Sequence, residues 1–214
     1  MSQADIVIVG YGGLAKEIAQ YIQDANAVSD AWRFLGFCAE HSSDVGLRIG
    51  ANQIVMSDDD LLTIDKPLSV VIGSGFPSVI HSIFMKLEVN SNLSFPNIIH
   101  TRAYTGSEID PGSGNIICPG VVLSVDVEAG SHNLFNWNCT IGHDSIIGSF
   151  NVFNPSCNVS GSTKIGSRVL VGTGAQVLQG LSICDDVVIG AGAVVTKDIT
   201  EPGVYVGMPA RRIK

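Results

Sequence analysis

The chain has 214 residues, of which 45% are hydrophobic, only 7% aromatic and 15% charged, with 24 glycines and a net charge of −8. That length is one large domain or two small ones around an aliphatic core, and the glycine content suits short strands and tight turns. The acidic balance speaks against a nucleic-acid partner, and five cysteines without a Cys-x-x-Cys pair speak against a disulfide framework or zinc site and for a reducing, cytoplasmic setting.

The start, Met-Ser-Gln-Ala-Asp, has no basic signal-peptide region. No apolar run reaches the roughly 18 residues of a membrane span, so no membrane partner is expected. Ile6-Val7-Ile8-Val9 reads as a buried parallel strand ending at Gly10. Leu14, Ile18, Tyr21 and Ile22 then fall at helical spacing. Phe34–Cys38 and Leu68–Ile72 read as further strands, the latter followed by Gly73-Ser74-Gly75 and a helix-like stretch from Ser78 to Leu87. Strand and helix in alternation predict a small parallel α/β domain over residues 1–105. Between its first strand and helix, Gly10-Tyr11-Gly12-Gly13-Leu14-Ala15 fits G-x-G-x-x-A. Such glycines permit a tight turn and aim N–H groups at a phosphate. The α/β half is too short for a full dinucleotide-binding domain.

From Ile117 the pattern changes. Steps of six land on Ile117, Leu123, Ala129, Phe135, Ile141, Ile147, Phe153, Val159, Ile165, Val171, Val177, Ile183, Ile189 and Val195, all large and apolar except one alanine. The next residue is usually small or polar, as at Gly130, Gly142, Gly148 and Gly166. Ordinary strands repeat every two residues. A six-residue unit is instead one short strand plus a turn, three units close a coil, and residues 18 apart stack about 4.8 Å from each other. Residues 106–214 are therefore expected to form a parallel β-helix with a C-terminal extension, with Val121, Val169, Val187 and Ala175 counted among its outward residues although some of them also point inside, as the small-residue column of Cys139, Cys157, Ala175 and Ala193 does.

With those motifs in hand, the sequence resembles the bacterial nucleotide-sugar N-acetyltransferases, which join a Rossmann-like N-terminal domain to a left-handed β-helix. The residues that carry the likeness are Val9-Gly10-Tyr11-Gly12-Gly13, the segment Asn136-Trp137-Asn138-Cys139-Thr140-Ile141-Gly142-His143-Asp144, and the close Gly190–Asp198 and Gly207-Met208-Pro209-Ala210. The resemblance implies transfer of acetyl from acetyl-CoA to the amino group of a nucleotide-linked sugar of the 4-amino-4,6-dideoxyhexose kind, no metal, and a homotrimer with sites between subunits. It implies the general base at His143, a thioester contact at the Gly161 amide, and an active-site asparagine at Asn136. Asp144, next to His143, could hold or polarise the imidazole or stand as a solvated turn carboxylate. Gly10, Gly12, Gly13, Glu40 and Ser74 would take the nucleotide-sugar. Three departures stand out: Leu14 where the family usually has histidine, Glu40 without a paired acid before it, and Gly75-Phe76-Pro77 where the family often has a basic residue.

The 18-residue step agrees with those roles. It stacks His143, Gly161, Gln179 and Lys197 in one column. A base, a glycine that lets a ligand approach, then polar and cationic groups suit an extended acyl-CoA along the coils. An amine must lose a proton on attacking a thioester, which histidine is suited to take, and a backbone N–H can stabilise the oxyanion. The competing readings are a β-helix O-acetyltransferase of serine or sugar, a β-helix carbonic anhydrase, for which no His-x4-His occurs, and a non-enzymatic scaffold.

Overall fold

A computed structural model describes residues 3–106 and 109–214. The chain divides into two compact units, one comprising residues up to Gly75 together with Val79–Ile98, the other Phe76–Ser78 together with Ile99–Lys214. Coil-type strands begin at Ile98–Ile99 and Tyr104–Thr105, ahead of the expected boundary at 105–106, because the first coil keeps the six-residue spacing but carries Thr105 and Pro111 where later coils carry large apolar residues.

The first unit is built on a six-stranded sheet. Its elements are β1 (Ala4–Val9), α1 (Gly13–Ser29), β2 (Trp32–Ala39), β3 (Arg48–Ile49), β4 (Asn52–Ser57), α2 (Asp58–Leu62), β5 (Leu68–Ile72), α3 (Pro77–Leu87) and β6 (Leu93–Ser94). Strand order is β3-β4-β2-β1-β5-β6, parallel throughout except for the β3–β4 hairpin. Central β1 is buried on both faces, which explains its unbroken apolar run. Val7 and Val9 face a cluster with Cys38, Leu61, Leu68, Val70, Leu87 and Leu93. In α1, Ala15, Ile18, Ala19 and Ile22 form the buried stripe. The half-buried strand β4, next to the two-residue edge strand β3, and the short α2 lie in a stretch that the sequence pattern leaves unmarked.

The second unit is a parallel β-helix. Its two-residue strands pair at intervals of 18, as in Thr140↔Asn158, Asn158↔Gln176 and Gln176↔Val194, and stack into three sheets. All fourteen residues of the six-step series are buried. The turns share that period: Asp126, His132, Asn138, Asp144, Phe150, Ser156, Ser162, Arg168 and Asp186 all have φ between 55° and 62°, and Gly174, Gly180 and Gly192 complete the series. One left-handed residue per corner bends the chain at each side of the coil.

Two residues of each unit point inward, not one. The position two before the main inward residue also faces the core, because side chains alternate along even a short strand. Val121, Val169, Val187 and Ala175 are all 0% exposed, so all four point inside, where only some of them were expected to; Val122, Ile146, Leu178 and Val188 supply the apolar outer surface. Cys139 and Cys157 fill the same inward column as Ala175 and Ala193, and burial holds the Cys139 thiol well above its usual range. Phe135 and Phe153 stack with centroids 5.0 Å apart.

Along one corner the interior is polar. The Asn115 side-chain oxygen accepts from Asn133 N–H (2.8 Å), Asn133 from Asn151 N–H (2.8 Å) and Asn151 from Val169 N–H (2.7 Å). Asn133 also donates to Gly130 and Gly148 carbonyls. This ladder satisfies buried backbone groups that the coil geometry leaves without strand partners. Beyond Val195 the chain adds Gly203–Val206 in parallel to Val187–Ile189, then turns back as Arg211–Arg212.

Candidate active site

At each corner, the residue two beyond the main inward position sits at the outer edge. Along one corner these are serines, and each N–H is taken by the side chain one coil on: Ser113 by Ser131, Ser131 by Ser149, Ser149 by Ser167, and Ser167 by Asp185, at 2.9–3.1 Å. Along the corner that carries His143 the same position holds Val125, His143, Gly161, Gln179 and Lys197. Gly161 N–H finds no acceptor there among the described residues, while its carbonyl and that of His143 continue the backbone ladder to Gly180 and Ser162 N–H. An unsatisfied N–H costs roughly 1–3 kcal/mol where water cannot reach it, so a donor left unpaired beside a histidine is an available binding group.

His143 is half-exposed and lies 2.5 Å, Nδ1 to Oδ2, from Asp144. Asp144 takes the left-handed corner conformation at φ 55°, which swings its carboxylate back to the preceding imidazole. Asp144 thus engages Nδ1 and leaves Nε2 for chemistry. That ring lies over Gly161: a Cβ there would fall 2.7 Å from His143 Nε2 and 2.8 Å from Cε1, so the imidazole position requires glycine.

Gln179 and Lys197 are exposed further along the column. Lys197 also lines a cavity of about 180 Å³ with Tyr205, Ala210, Arg211 and Arg212. Arg212 is tied to Glu201 (2.6 Å) and to the Lys214 carbonyl (3.1 Å). Asn136 is not brought to His143 within the chain. It lies one corner earlier, where its side-chain oxygen accepts Trp137 N–H at 2.8 Å.

In the first unit the glycine turn leaves β1 at Gly10, whose φ of +93° is closed to most side chains. Gly12 caps α1 without any side-chain capping bond, and neither Gly12 nor Gly13 would bring a Cβ within 4 Å of anything. Their smallness is not required by packing and leaves open space at the helix N-terminus. Gly73, which the sequence reading passed over, is required: a Cβ there would fall 2.9 Å from Ala15 Cβ and 3.0 Å from Ile8. Its place just after β5 marked it as a turn residue, but nothing in the local sequence records the contact with Ala15. Glu40 is exposed just past β2, and Ser74 is half-buried past β5. Tyr11 and Asp44 also escaped the sequence reading. Tyr11 Oη donates to Asp44 Oδ2 at 3.2 Å, and the negative charge of Asp44 raises the phenol above its ordinary range.

Among the described residues, no cluster of three or more His, Cys, Asp or Glu could hold a metal, and no helix is long and apolar enough to cross a membrane.

Residues 162–197 match the family model "Bacterial transferase hexapeptide (six repeats)". No curated protein matches the sequence. Among solved structures, the chain is similar to the acetyltransferase domain of PglB from Neisseria gonorrhoeae, at 20% identity and TM-score 0.88 over 99% of this chain and 100% of that one. It is similar also to PerB from Caulobacter crescentus, in complex with CoA and GDP-perosamine, at 22% identity and TM-score 0.87 over 100% and 99% of the two chains. WeeI from Acinetobacter baumannii matches at 23% identity and TM-score 0.87 over 99% and 100%. The chain therefore has the fold of these proteins along nearly its whole length, with a bacterial-transferase hexapeptide array in its second unit.

Proposed function

We propose that the protein is an acetyl-CoA-dependent N-acetyltransferase acting on a nucleotide-linked amino sugar, a 4-amino-4,6-dideoxyhexose, in the cytoplasm as a homotrimer. The β-helix is then left-handed and the first unit a Rossmann-like nucleotide cradle. The observation that carries this reading is the His143 corner: an imidazole engaged on Nδ1 by Asp144, with Nε2 above a glycine whose N–H is unpaired. The names of the similar structures, an acetyltransferase domain and a protein bound to CoA and GDP-perosamine, point the same way.

The amine nitrogen attacks the thioester carbonyl, the C–N bond forms and the C–S bond breaks. His143 Nε2 accepts the proton the amine loses and returns it to the departing thiolate of CoA. Gly161 N–H donates to the carbonyl oxygen as negative charge develops there. Asp144 stabilises the imidazolium while it carries the proton. Gln179 and Lys197 line the path of the pantetheine arm, and the cationic cavity at Lys197, Arg211 and Arg212 suits the phosphates of CoA. Gly12 and Gly13 offer helix-terminal N–H groups to the diphosphate, beyond the turn at Gly10, whose own N–H donates to the Cys38 carbonyl at 2.9 Å, with Glu40 and Ser74 beside them as sugar-nucleotide ligands. Asn136 enters the site from a second subunit across the groove.

A panel of amino-sugar nucleotides with acetyl-CoA, followed by thiol release, tests the reaction. His143→Ala should lower kcat by roughly 10²–10⁴-fold with the fold intact by circular dichroism. Near-wild-type kcat in that variant would remove His143 from the mechanism.

A further inference from the structure

The His143 corner has two ends, and they differ in chemistry. On the C-terminal side stand Gly161, Gln179 and Lys197, leading to the cavity lined by Arg211 and Arg212. On the N-terminal side, one coil below the base, stands Val125. Its carbonyl accepts Asp144 N–H at 3.2 Å, so its backbone lies directly beneath the residue that engages the imidazole. It is 41% exposed, an apolar side chain on an otherwise polar edge. No packing role accounts for it, since Leu123 and Val127 on either side fill the interior.

The imidazole leans toward Gly161, whose N–H takes the acyl carbonyl in the proposed reaction. The donor then occupies the C-terminal side, and the acceptor nitrogen must reach the carbonyl from the other. One coil is about 4.8 Å, so a side chain one coil below the base meets the group on the carbon next to the reacting amine. On a 4-amino hexose the neighbours are C3, with its hydroxyl, and C5, with its C6 substituent, and an apolar side chain suits the second. An isopropyl group there favours a methyl and leaves a hydroxymethyl without a hydrogen-bond partner.

We infer that Val125 is the acceptor-side specificity residue, and that it selects a 6-deoxy amino sugar over its 6-hydroxy counterpart. This rests on the N-acetyltransferase reading above. Because Val125 is exposed and Thr has its shape, Val125→Thr is expected to fold normally.

The test measures kcat/KM of wild type, Val125→Thr and Val125→Ala with a matched pair of 4-amino nucleotide sugars, 6-deoxy and 6-hydroxy, together with KM for acetyl-CoA. Wild type should prefer the 6-deoxy sugar by roughly 10–10²-fold, the range an apolar contact gives against an added hydroxyl. Val125→Thr should cut that preference about tenfold with acetyl-CoA KM unchanged, and Val125→Ala should reduce it as well. Equal losses on both sugars, or a rise in acetyl-CoA KM instead, would overturn the assignment and leave the reaction standing. If wild type acetylates neither sugar while acetylating another acceptor, the substrate class fails; if it acetylates none, the reaction and this inference fall together.

Discussion

Gly161 illustrates how much one residue decides here. Among the described residues its N–H has no acceptor, and a Cβ on it would fall against the His143 ring. Gly161→Ala would place a methyl against Nε2, so the ring must turn away. The expected outcome is a fall in kcat of at least about tenfold, since small misplacements of catalytic groups are costly, with melting temperature within a few degrees of wild type. Unaltered kcat would show that the ring position is irrelevant to turnover. His132 acts through stability instead. It is 3% exposed and stacks on Phe150 at 5.4 Å, and burial pushes its pKa down from 6.5 to about 4. A depressed histidine is bound to its proton more weakly in the fold than in the unfolded chain. Its contribution is therefore complete above pH 6.5, is lost progressively as pH falls toward 4, and changes no further below that. The full loss is about 3 kcal/mol. His132→Asn, which keeps a residue tolerant of φ 60°, should flatten that part of the profile. Denaturant midpoints of both proteins between pH 7 and 4 make the comparison, and parallel profiles would contradict it.

At the scale of elements, the asparagine ladder carries the N-terminal coils. Asn133 accepts from Asn151 N–H and donates to two carbonyls. Replacing it with alanine leaves those groups unpaired in a dry interior, at a cost of roughly 2 kcal/mol or more. For a chain of this size that lowers Tm by about 5 °C or more, which calorimetry would detect; an unchanged Tm would mean that water takes the vacated place. The ladder was not visible in the sequence. Asn115, Asn133 and Asn151 do stand 18 apart, yet asparagine is so common in turns that its inward orientation shows only once the corners are built. The α/β elements were legible in part. The α1 stripe and the β1 and β5 runs follow helical and buried-strand patterns, whereas β4, second from the sheet edge beside the two-residue β3, alternates weakly. Gly73 belongs with β4: its need is set by Ala15, 58 residues away in sequence, and no local pattern records such a contact.

For the whole molecule, the proposed trimer has a direct consequence. Light scattering should give about three times the 22.5 kDa chain mass. Mixing His143→Ala chains with Asn136→Ala chains tests where the pieces of the site reside. His143 and Gly161 share one corner of one chain, whereas Asn136 is proposed to come from the neighbour, so a mixed assembly holds an intact site wherever the His143 corner of an Asn136→Ala chain meets Asn136 of a His143→Ala chain. Partial recovery of activity supports a shared groove; full activity in a monomer would refute it.

What the sequence determined by itself was the second unit and its main column. A repeat of fixed length turns residue number into position, so stepping by 18 put His143, Gly161, Gln179 and Lys197 in register without any coordinates. What only the tertiary structure decided was orientation. The swing of Asp144 onto Nδ1 depends on a left-handed backbone at the corner, the imidazole's lean over Gly161 depends on a side-chain rotamer, and the burial of Val121, Val169, Val187 and Ala175 depends on which way a two-residue strand faces. Those choices are set by dihedral angles and by the atoms of the neighbouring coil, and a one-dimensional period carries neither.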